Sequence, residues 1–179
     1  DLTQPAVDAR LAEILGAEEV DTFVHLAFLS SPSQAGAWAH ELESVGTMHV
    51  LRACRQVGVE RVVMASSTTL YGPHRHNPNF LDESRPLRGI RGARFLSDKI
   101  EAEHELSRFA ADAPDTRAIC LRFAPILGPH VRSWITRWLS RRFVPTVLGH
   151  DPLAQLLHEN DAVRALRLAL DAETSGPIN

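Results

Sequence analysis

Hydroxyl groups, one ammonium group and one phenol are the side chains of this sequence that could do chemistry. The run Ser66-Ser67-Thr68-Thr69 follows a buried apolar segment directly, and Tyr71 is the single tyrosine. Lys99 is the single lysine against eighteen arginines, so its retention as lysine needs a reason. Taken alone, the hydroxyls are also typical of a polar strand end that caps its own turn, and Lys99 of a solvated helix position.

Other reactive residue types lack the pattern that their chemistry requires. No Gly-x-Ser-x-Gly turn surrounds Ser67, so a hydrolase nucleophile would lack its strained turn. His74 and His76 have no third ligand nearby, so no metal site is predicted. His25 lies in an apolar run and is predicted to be a hydrogen-bonded core histidine. Four carboxylates are expected on a solvated helix face: Asp98, Glu101, Glu103 and Glu105.

Composition and charge limit the classes of partner. The chain has 179 residues, of which 44% are apolar and 23% charged, which is typical of one globular domain. The net charge of −3 gives no basic surface for nucleic acid. No apolar run reaches the roughly 18 residues of a membrane span, and from the first residues we expect no signal peptide. Cys54 and Cys120 are predicted to be reduced core thiols, which favours a cytoplasmic location.

The apolar pattern predicts strands that alternate with helices, and therefore a parallel sheet with right-handed crossovers. Ligands of such sheets bind beyond the carboxyl ends of the strands, here at 27–29, 66–68 and 123–125. The stretch 72–92 is a long irregular loop, and loops of this length are usually functional. The predicted strands are 22–28, 61–65, 116–123, 144–148, 156–158 and 177–179. The predicted helices are 5–15, 38–57, 93–111, 131–139 and a last helix, capped by Asn160 or Asp161, that runs to Leu170.

An ordered set of segments carries a more specific pattern than any single residue. A strand is followed by Ser-Ser-x-x-Leu-Tyr-Gly-Pro, then by a helix with Lys99, then by Leu-Arg-x-x-Pro. The matching segments are 24–27, 45–51, 58–63, 66–72, 98–103, 121–129 and 157–162. In these segments the chain resembles the extended short-chain dehydrogenase/reductase family, the NAD-dependent epimerase/dehydratases. The stretch 144–158 also resembles actinobacterial nucleotide-sugar epimerases.

The resemblance implies a Rossmann-like α/β fold, a doubly wound parallel sheet in three αβα layers. It places all of 1–179 in an NAD(P)-binding domain, with 129–158 contributing to a small C-terminal substrate lobe. The family's Gly-rich phosphate-binding turn is missing from these residues, so we expect the domain to be incomplete at its N-terminus and truncated at both ends. We expect such a segment to pair with a second chain or to belong to a longer protein, because its sheet would otherwise expose an apolar edge.

By the same resemblance, NAD or NADP would lie along the strand ends. Ala27 and Phe28 would line the adenosine side, and Ala65 and Ser66 would lie under the nicotinamide ribose. The residues that flank the nicotinamide would be Phe123 and Pro125. The acidic or basic residue that selects NAD or NADP is not among these segments.

The resemblance also assigns the catalytic positions. Ser67 would hydrogen-bond a substrate hydroxyl or carbonyl group. Lys99 would hold the ribose hydroxyls and lower the pKa of a neighbouring phenol. The family's acid/base tyrosine, four residues before the lysine, is replaced by Phe95, which carries no proton. Tyr71 is expected to be structural, and Asp98 points about 100° away from Lys99 on the helix, which leaves water held at the serine as another proton source.

Three functional hypotheses stay open at this point. The first is an oxidoreductase or epimerase that acts by hydride transfer on a nucleotide sugar or a related hydroxyl or carbonyl compound. The second is a non-catalytic dinucleotide sensor, favoured by Phe95 and by Glu43, which stands where the family often has asparagine. The third is a scaffold without a ligand. A homodimer through helices 38–57 and 93–111 is expected, with outward faces that include Ala102, Leu106 and Ala110.

Overall fold

Four parallel strands form the main sheet, in the spatial order β1-β2-β3-β6. The computed structural model describes residues 1–29, 35–144, 149 and 153–179. A separate pair, β4 and β5, is also parallel. The strands are β1 (Thr22–His25), β2 (Arg61–Ser67), β3 (Arg117–Phe123), β4 (Ile126–Leu127), β5 (Leu157–His158) and β6 (Gly176–Ile178).

Helices connect the strands as the apolar spacing predicts. Gly58, at φ +73°, ends the third helix in the left-handed conformation that glycine adopts at low cost. The helices are α1 (Val7–Ala17), α2 (Gly36–His40), α3 (Gly46–Val57), α4 (Arg94–Asp112), α5 (Trp134–Leu139) and α6 (Glu159–Asp171). A π-helical turn, Glu41–Val45, joins α2 to α3. None of the described helices is long and apolar enough to cross a membrane.

The sheet is covered by helices on both faces, so the predicted three-layer, doubly wound fold is confirmed. On one face α1, α3 and α4 bury a continuous apolar cluster against β2 and β3. On the other face Ala169 of α6 packs on Val63, Ile119 and Leu121. Cys54 and Cys120 are buried and free, as expected. Burial raises the pKa of the Cys54 thiol to about 12, so neither thiol is placed as a nucleophile.

The prediction that 22–28 is a strand buried on both faces is wrong. Strand β1 ends at His25 and is an edge of the described sheet, because it pairs only with β2. Phe23 packs on the cluster under α1 and α3, but Val24 on the opposite face is 36% exposed. Leu26, beyond the strand, is 54% exposed. Among the described helices, α6 covers β2 and β3 on that face and leaves β1 open.

Two further expectations about helices are corrected. The last helix is capped by His158, whose side chain accepts from the Asn160 amide, rather than by Asn160 or Asp161. Ala102 and Leu106 do not face outward: they are 0% and 3% exposed and belong to the core against the sheet. Ala110, the third residue of that expected face, is half-buried and packs against the same core. Residues 145–148 of the predicted strand 144–148 lie outside the described residues.

The loop 72–92 is hydrogen-bonded to the turn that follows β2. The amides of Arg88 and Gly89 both donate to the Leu70 carbonyl, at 3.1 and 2.8 Å. A Cβ on Gly72, which has φ +74°, would lie 2.0 Å from the Gly89 carbonyl oxygen. The crossing of the two chain segments therefore requires glycine at this position.

Candidate functional site

Helix α4 presents a stripe of three side chains to the strand ends. Phe95, Lys99 and Glu103 follow one another at intervals of four residues, which places them on one helix face. Lys99 lies against Phe28, just beyond the end of β1, and Glu103 reaches β2 and β3 one turn further on. The stripe therefore aligns along the carboxyl ends of three neighbouring strands, where parallel sheets bind ligands.

Lys99 is a buried ammonium group at the end of β1. Its Nζ donates to Glu43 Oε1 at 2.8 Å, and its side chain is 10% exposed. The Nζ also lies 4.7 Å from the ring centre of Phe28 and 4.9 Å from that of Phe95, which is cation–π geometry. Burial lowers the pKa of Lys99, and the charge and hydrogen bond of Glu43 act in the opposite direction.

Glu43 is the partner that fixes this ammonium group. The residue lies in the π-helical turn and is 0% exposed. Its Oε1 accepts from the Leu29 amide at 2.8 Å as well as from Lys99. Its Oε2 is buried and has no hydrogen-bond partner among the described residues. Single π-helical turns inside helices occur frequently at functional sites, and this one aims a carboxylate at the end of β1.

His25 is a hydrogen-bonded core histidine, as predicted. The Thr47 hydroxyl donates to the Glu43 carbonyl at 2.6 Å, so its oxygen is left to accept from His25 Nε2 at 2.9 Å. Burial, with a smaller contribution from the charge of Lys99, lowers the pKa of His25 from 6.5 to about 4. The imidazole is therefore neutral at pH 7.

A second buried ion pair joins Arg122 of β3 to Glu103 of α4. Arg122 Nε and Nη2 donate to Glu103 Oε2 at 3.0 and 2.8 Å, and Ser66 Oγ donates to Glu103 Oε1. Arg122 Nη1 donates to the Tyr71 hydroxyl at 2.8 Å, and that hydroxyl donates to Asn179 Oδ1 at 2.9 Å. Burial alone would lower the pKa of Arg122, but the bonds and charge of Glu103 raise it. The expected structural role of Tyr71 agrees with these bonds.

The expectation of a solvated acidic face is wrong for two of its four members. Glu103 is 4% exposed because it pairs with Arg122. Asp98 is also 4% exposed: its Oδ1 lies 2.9 Å from His40 Nδ1. His40, Asp98 and Glu101 each place a donor atom within 4.8 Å of the others, but Arg94 Nε already lies 3.9 Å from Asp98 Oδ2. A guanidinium beside that carboxylate disfavours a cation there.

The serine hydroxyls have protein partners. Ser67 Oγ lies 2.8 Å from Thr69 Oγ1 and accepts from the Thr69 amide, so it caps the 3-10 turn Thr68–Tyr71. Ser66 is engaged by Glu103. The predicted substrate contact of Ser67 stays a prediction, and the alternative interpretation, a strand end that caps its own turn, describes its present bonds.

The residues predicted to line the cofactor lie at the same edge of the sheet. In the register of β2 and β3, Ala65 pairs with Leu121 and Ser67 with Phe123. The side chains are half-buried, apart from one exposed alanine: Ala27 (exposed), Phe28, Ala65, Ser66, Phe123 and Pro125. Their role stays a prediction. The Lys99–Glu43 and Arg122–Glu103 pairs were missed, although a single lysine and an arginine inside an apolar strand are visible signals.

The chain belongs to the NAD-dependent epimerase/dehydratase family, whose model matches residues 1–179. An uncharacterized protein of Mycobacterium tuberculosis is 34% identical over 172 residues, which are 94% of this chain and 46% of that protein. A 3-diazoavenalumate denitrifying reductase of a Streptomyces species is 30% identical over 153 residues, 83% of this chain and 49% of that protein. The chain thus spans about half the length of the curated relatives it matches.

Solved structures give the same fold. MoeE5 in complex with UDP-glucuronic acid and NAD is 27% identical, with a TM-score of 0.77 over 99% of this chain and 59% of that chain. UDP-glucose 4-epimerase of Thermus thermophilus in complex with NAD is 21% identical, with a TM-score of 0.80 over 100% of this chain and 61% of that chain. At that identity the second likeness supports the Rossmann-like fold alone.

Proposed function

We propose that this protein binds NAD or NADP and transfers a hydride to or from a hydroxyl or carbonyl group of a nucleotide sugar. The family membership and the 27% identical MoeE5, solved with a UDP-sugar and NAD, support this proposal. The observation that carries it is the buried ammonium of Lys99 at the carboxyl end of β1, in line with the half-buried ends of β2 and β3.

The residues present fit the nicotinamide and ribose part of a dinucleotide. Ala65 and Ser66 are small and half-buried, and Ala27 is exposed, so the strand ends leave room for a flat ligand. Lys99 has one hydrogen-bond partner among the described residues, which leaves two N–H donors for hydroxyl groups. When bound, the nicotinamide supplies the hydride chemistry. The chain's part is to orient it, with Lys99 on the ribose and Phe123 and Pro125 beside the ring.

A non-catalytic dinucleotide sensor is the second candidate. Phe95 removes the phenol that general acid–base catalysis would use, a contribution of roughly 10²–10⁴-fold in rate. The Tyr71 hydroxyl is committed to Arg122 and Asn179, so it does not replace that phenol. These observations favour a protein that keeps the binding site without turnover.

Titration with NADH and with NADPH, followed by nicotinamide fluorescence, tests the shared part of both candidates. We expect saturable binding that Lys99→Ala weakens at least tenfold, while the exposed His104→Ala on the same helix leaves it unchanged. Absence of binding to the wild-type protein contradicts both candidates.

Turnover then separates enzyme from sensor. UDP-glucose and UDP-glucuronic acid serve as probes, with the wild-type protein and Phe95→Tyr compared at equal cofactor saturation. Turnover by either protein supports the enzyme, and binding without turnover in both supports the sensor.

Assembly and location are also proposals. A homodimer through α2–α3 and α4 would use exposed residues of these helices such as Trp38, which is 46% exposed, and not Ala102 or Leu106. Light scattering of Trp38→Glu beside the wild-type protein tests it: a monomeric wild type contradicts the dimer.

The free, buried Cys54 and Cys120 support a reducing, cytoplasmic location. Residues 129–158 are proposed to contribute to a substrate lobe.

A further inference from the structure

The side chain at the position of the missing phenol lies against the lysine. Phe95 precedes Lys99 by four residues on α4, and its ring centre is 4.9 Å from Nζ. A hydroxyl on that ring would be the family's proton donor. In this chain the group with a transferable proton that lies over this ring is the ammonium of Lys99.

We propose that Lys99 gives and takes the proton at the hydride-transfer site, and that Glu43 is the residue that positions its ammonium and keeps it charged. This inference rests on the proposed function and deepens it. It assigns to Lys99 a catalytic role that the family gives to the tyrosine, and it gives the unusual carboxylate of Glu43 a purpose.

The hydrogen bonds of the site support this assignment. Ser66 Oγ donates its hydrogen to Glu103, and the Tyr71 hydroxyl donates to Asn179. The hydroxyls of Ser67 and Thr69 form a hydrogen bond with each other. Lys99 Nζ has a single hydrogen bond, to Glu43, among the described residues, and its other neighbours are two aromatic rings. Lys99 therefore keeps two N–H donors that no described residue accepts, and these donors are buried beside the two rings.

The groups around Nζ set the pKa of Lys99 and so decide how tightly it holds its proton. The groups that face it are Glu43 from the π-helical turn and His25 from β1. His25 is neutral, and Asp98 of α4 is turned toward His40 and Arg94. Burial lowers the pKa of Lys99, and Glu43 opposes that effect. Burial is thus the largest influence on the pKa of Lys99, and Glu43 is the charged group that opposes it.

The proton balance of the step is simple. In the reducing direction the carbonyl carbon would gain a hydride, two electrons with one hydrogen, which a bound reduced nicotinamide would supply. The carbonyl oxygen forms its O–H bond as one N–H bond of the Lys99 ammonium breaks, and the resulting amine recovers a proton from water. In the oxidising direction the neutral amine takes the proton of the substrate hydroxyl.

The first test uses the fact that Lys99 is the single lysine of the chain. Labelling with ¹⁵N,¹³C-lysine gives one side-chain NMR signal, whose titration reports this ammonium without cofactor or turnover. We expect a midpoint below that of a free lysine side chain, and a lower one still in Glu43→Gln. The matched control is Glu41→Gln, an exposed residue of the same turn, which should leave the midpoint unchanged. A midpoint at or above that of free lysine overturns the proposal.

The second test separates the proton from the charge. Lys99→Arg keeps a cation but holds its proton too tightly to transfer it. We expect NADH binding within about threefold of wild type and a loss of roughly 100-fold or more in turnover of UDP-glucose with NAD. Phe95→Tyr in the Lys99→Arg background should recover at least tenfold.

The two failures are distinguishable. Full turnover by Lys99→Arg overturns the proton role and leaves the proposed function intact. Absence of NADH binding to the wild-type protein contradicts the proposed function. If the wild-type protein binds NADH but turns over neither UDP-glucose nor UDP-glucuronic acid, the proton role of Lys99 is overturned, whereas the dinucleotide-sensor candidate still stands.

Discussion

Two buried ion pairs on one helix differ in how completely their hydrogen-bonding groups are used. Glu103 accepts from Arg122 and Ser66 with both oxygens, and Arg122 also donates to Tyr71 and to the Glu83 carbonyl. Lys99 and Glu43, one turn away, share a single bond, and Glu43 Oε2 has no partner among the described residues.

The difference in hydrogen bonding indicates which of the two ion pairs stabilises the fold and which is available to a ligand. A buried ion pair stabilises a fold only when further hydrogen bonds offset the desolvation of both charges. The Arg122–Glu103 pair meets that condition and ties β2, β3 and α4 together. The Lys99–Glu43 pair meets it less fully, because its one further bond is from the Leu29 amide to Glu43 Oε1. We infer that the remaining donors of Lys99 and the free Glu43 Oε2 serve a ligand. Buried polar groups without a hydrogen-bond partner are rare in folded proteins, and a functional role is one recognised reason for them.

The largest effect is expected from breaking the satisfied pair. Arg122→Ala leaves the Glu103 carboxylate buried without its partner and should lower the free energy of unfolding by about 3–5 kcal/mol. Urea denaturation followed by circular dichroism measures it. Arg55→Ala, which breaks the exposed pair with Asp112, is the control and should cost less than about 1 kcal/mol. Equal losses of unfolding free energy in Arg122→Ala and Arg55→Ala would show that the buried pair stabilises the fold no more than the exposed pair does.

Acid sensitivity should come from the neighbourhood of Lys99. The folded pKa of His25 is about 4 against an ordinary 6.5, so between these values the unfolded chain binds the proton more tightly. Stability is therefore complete above pH 6.5 and falls as the pH drops toward 4, by roughly 3 kcal/mol. Urea midpoints at several pH values should show a smaller slope in His25→Gln than in the exposed control His104→Gln. Parallel slopes count against this assignment.

Removal of one hydroxyl from the satisfied network should have a moderate effect. Tyr71→Phe deprives Arg122 Nη1 of its closest acceptor and Asn179 of a donor, at a cost of about 1–2 kcal/mol. The measurement is the urea midpoint at constant denaturant slope. An unchanged midpoint shows that the Tyr71 bonds do not stabilise the fold.

The smallest change in stability is expected from removing the unsatisfied pair altogether. The double variant Glu43→Gln/Lys99→Met loses one hydrogen bond and two buried charges, so its free energy of unfolding should stay within about 1 kcal/mol of wild type. Its NADH affinity should fall with that of Lys99→Ala. A stability loss as large as that of Arg122→Ala indicates that this pair is structural too.

Particular elements show how far the sequence could be interpreted. Helix α4 and strand β3 lie within one residue of their predicted bounds, because apolar spacing reports burial directly. Strand β1 was predicted to be buried on both faces, and it is not, since its apolar run does not reveal which strand or helix covers it. Asp98 and Glu103 were assigned to solvent because their partners, His40 and Arg122, are distant in sequence.

The amino-acid sequence by itself determined the alternation of strands and helices, the family resemblance and the spacing of Phe95 and Lys99. These features depend on residue types at short spacing. Only the tertiary structure decided that Glu43 lies on Lys99 and that Glu103 lies on Arg122. Glu43 and Lys99 are 56 positions apart in the sequence, and Glu103 and Arg122 are 19 apart. The geometry of both pairs follows from how α4 packs on the strand ends.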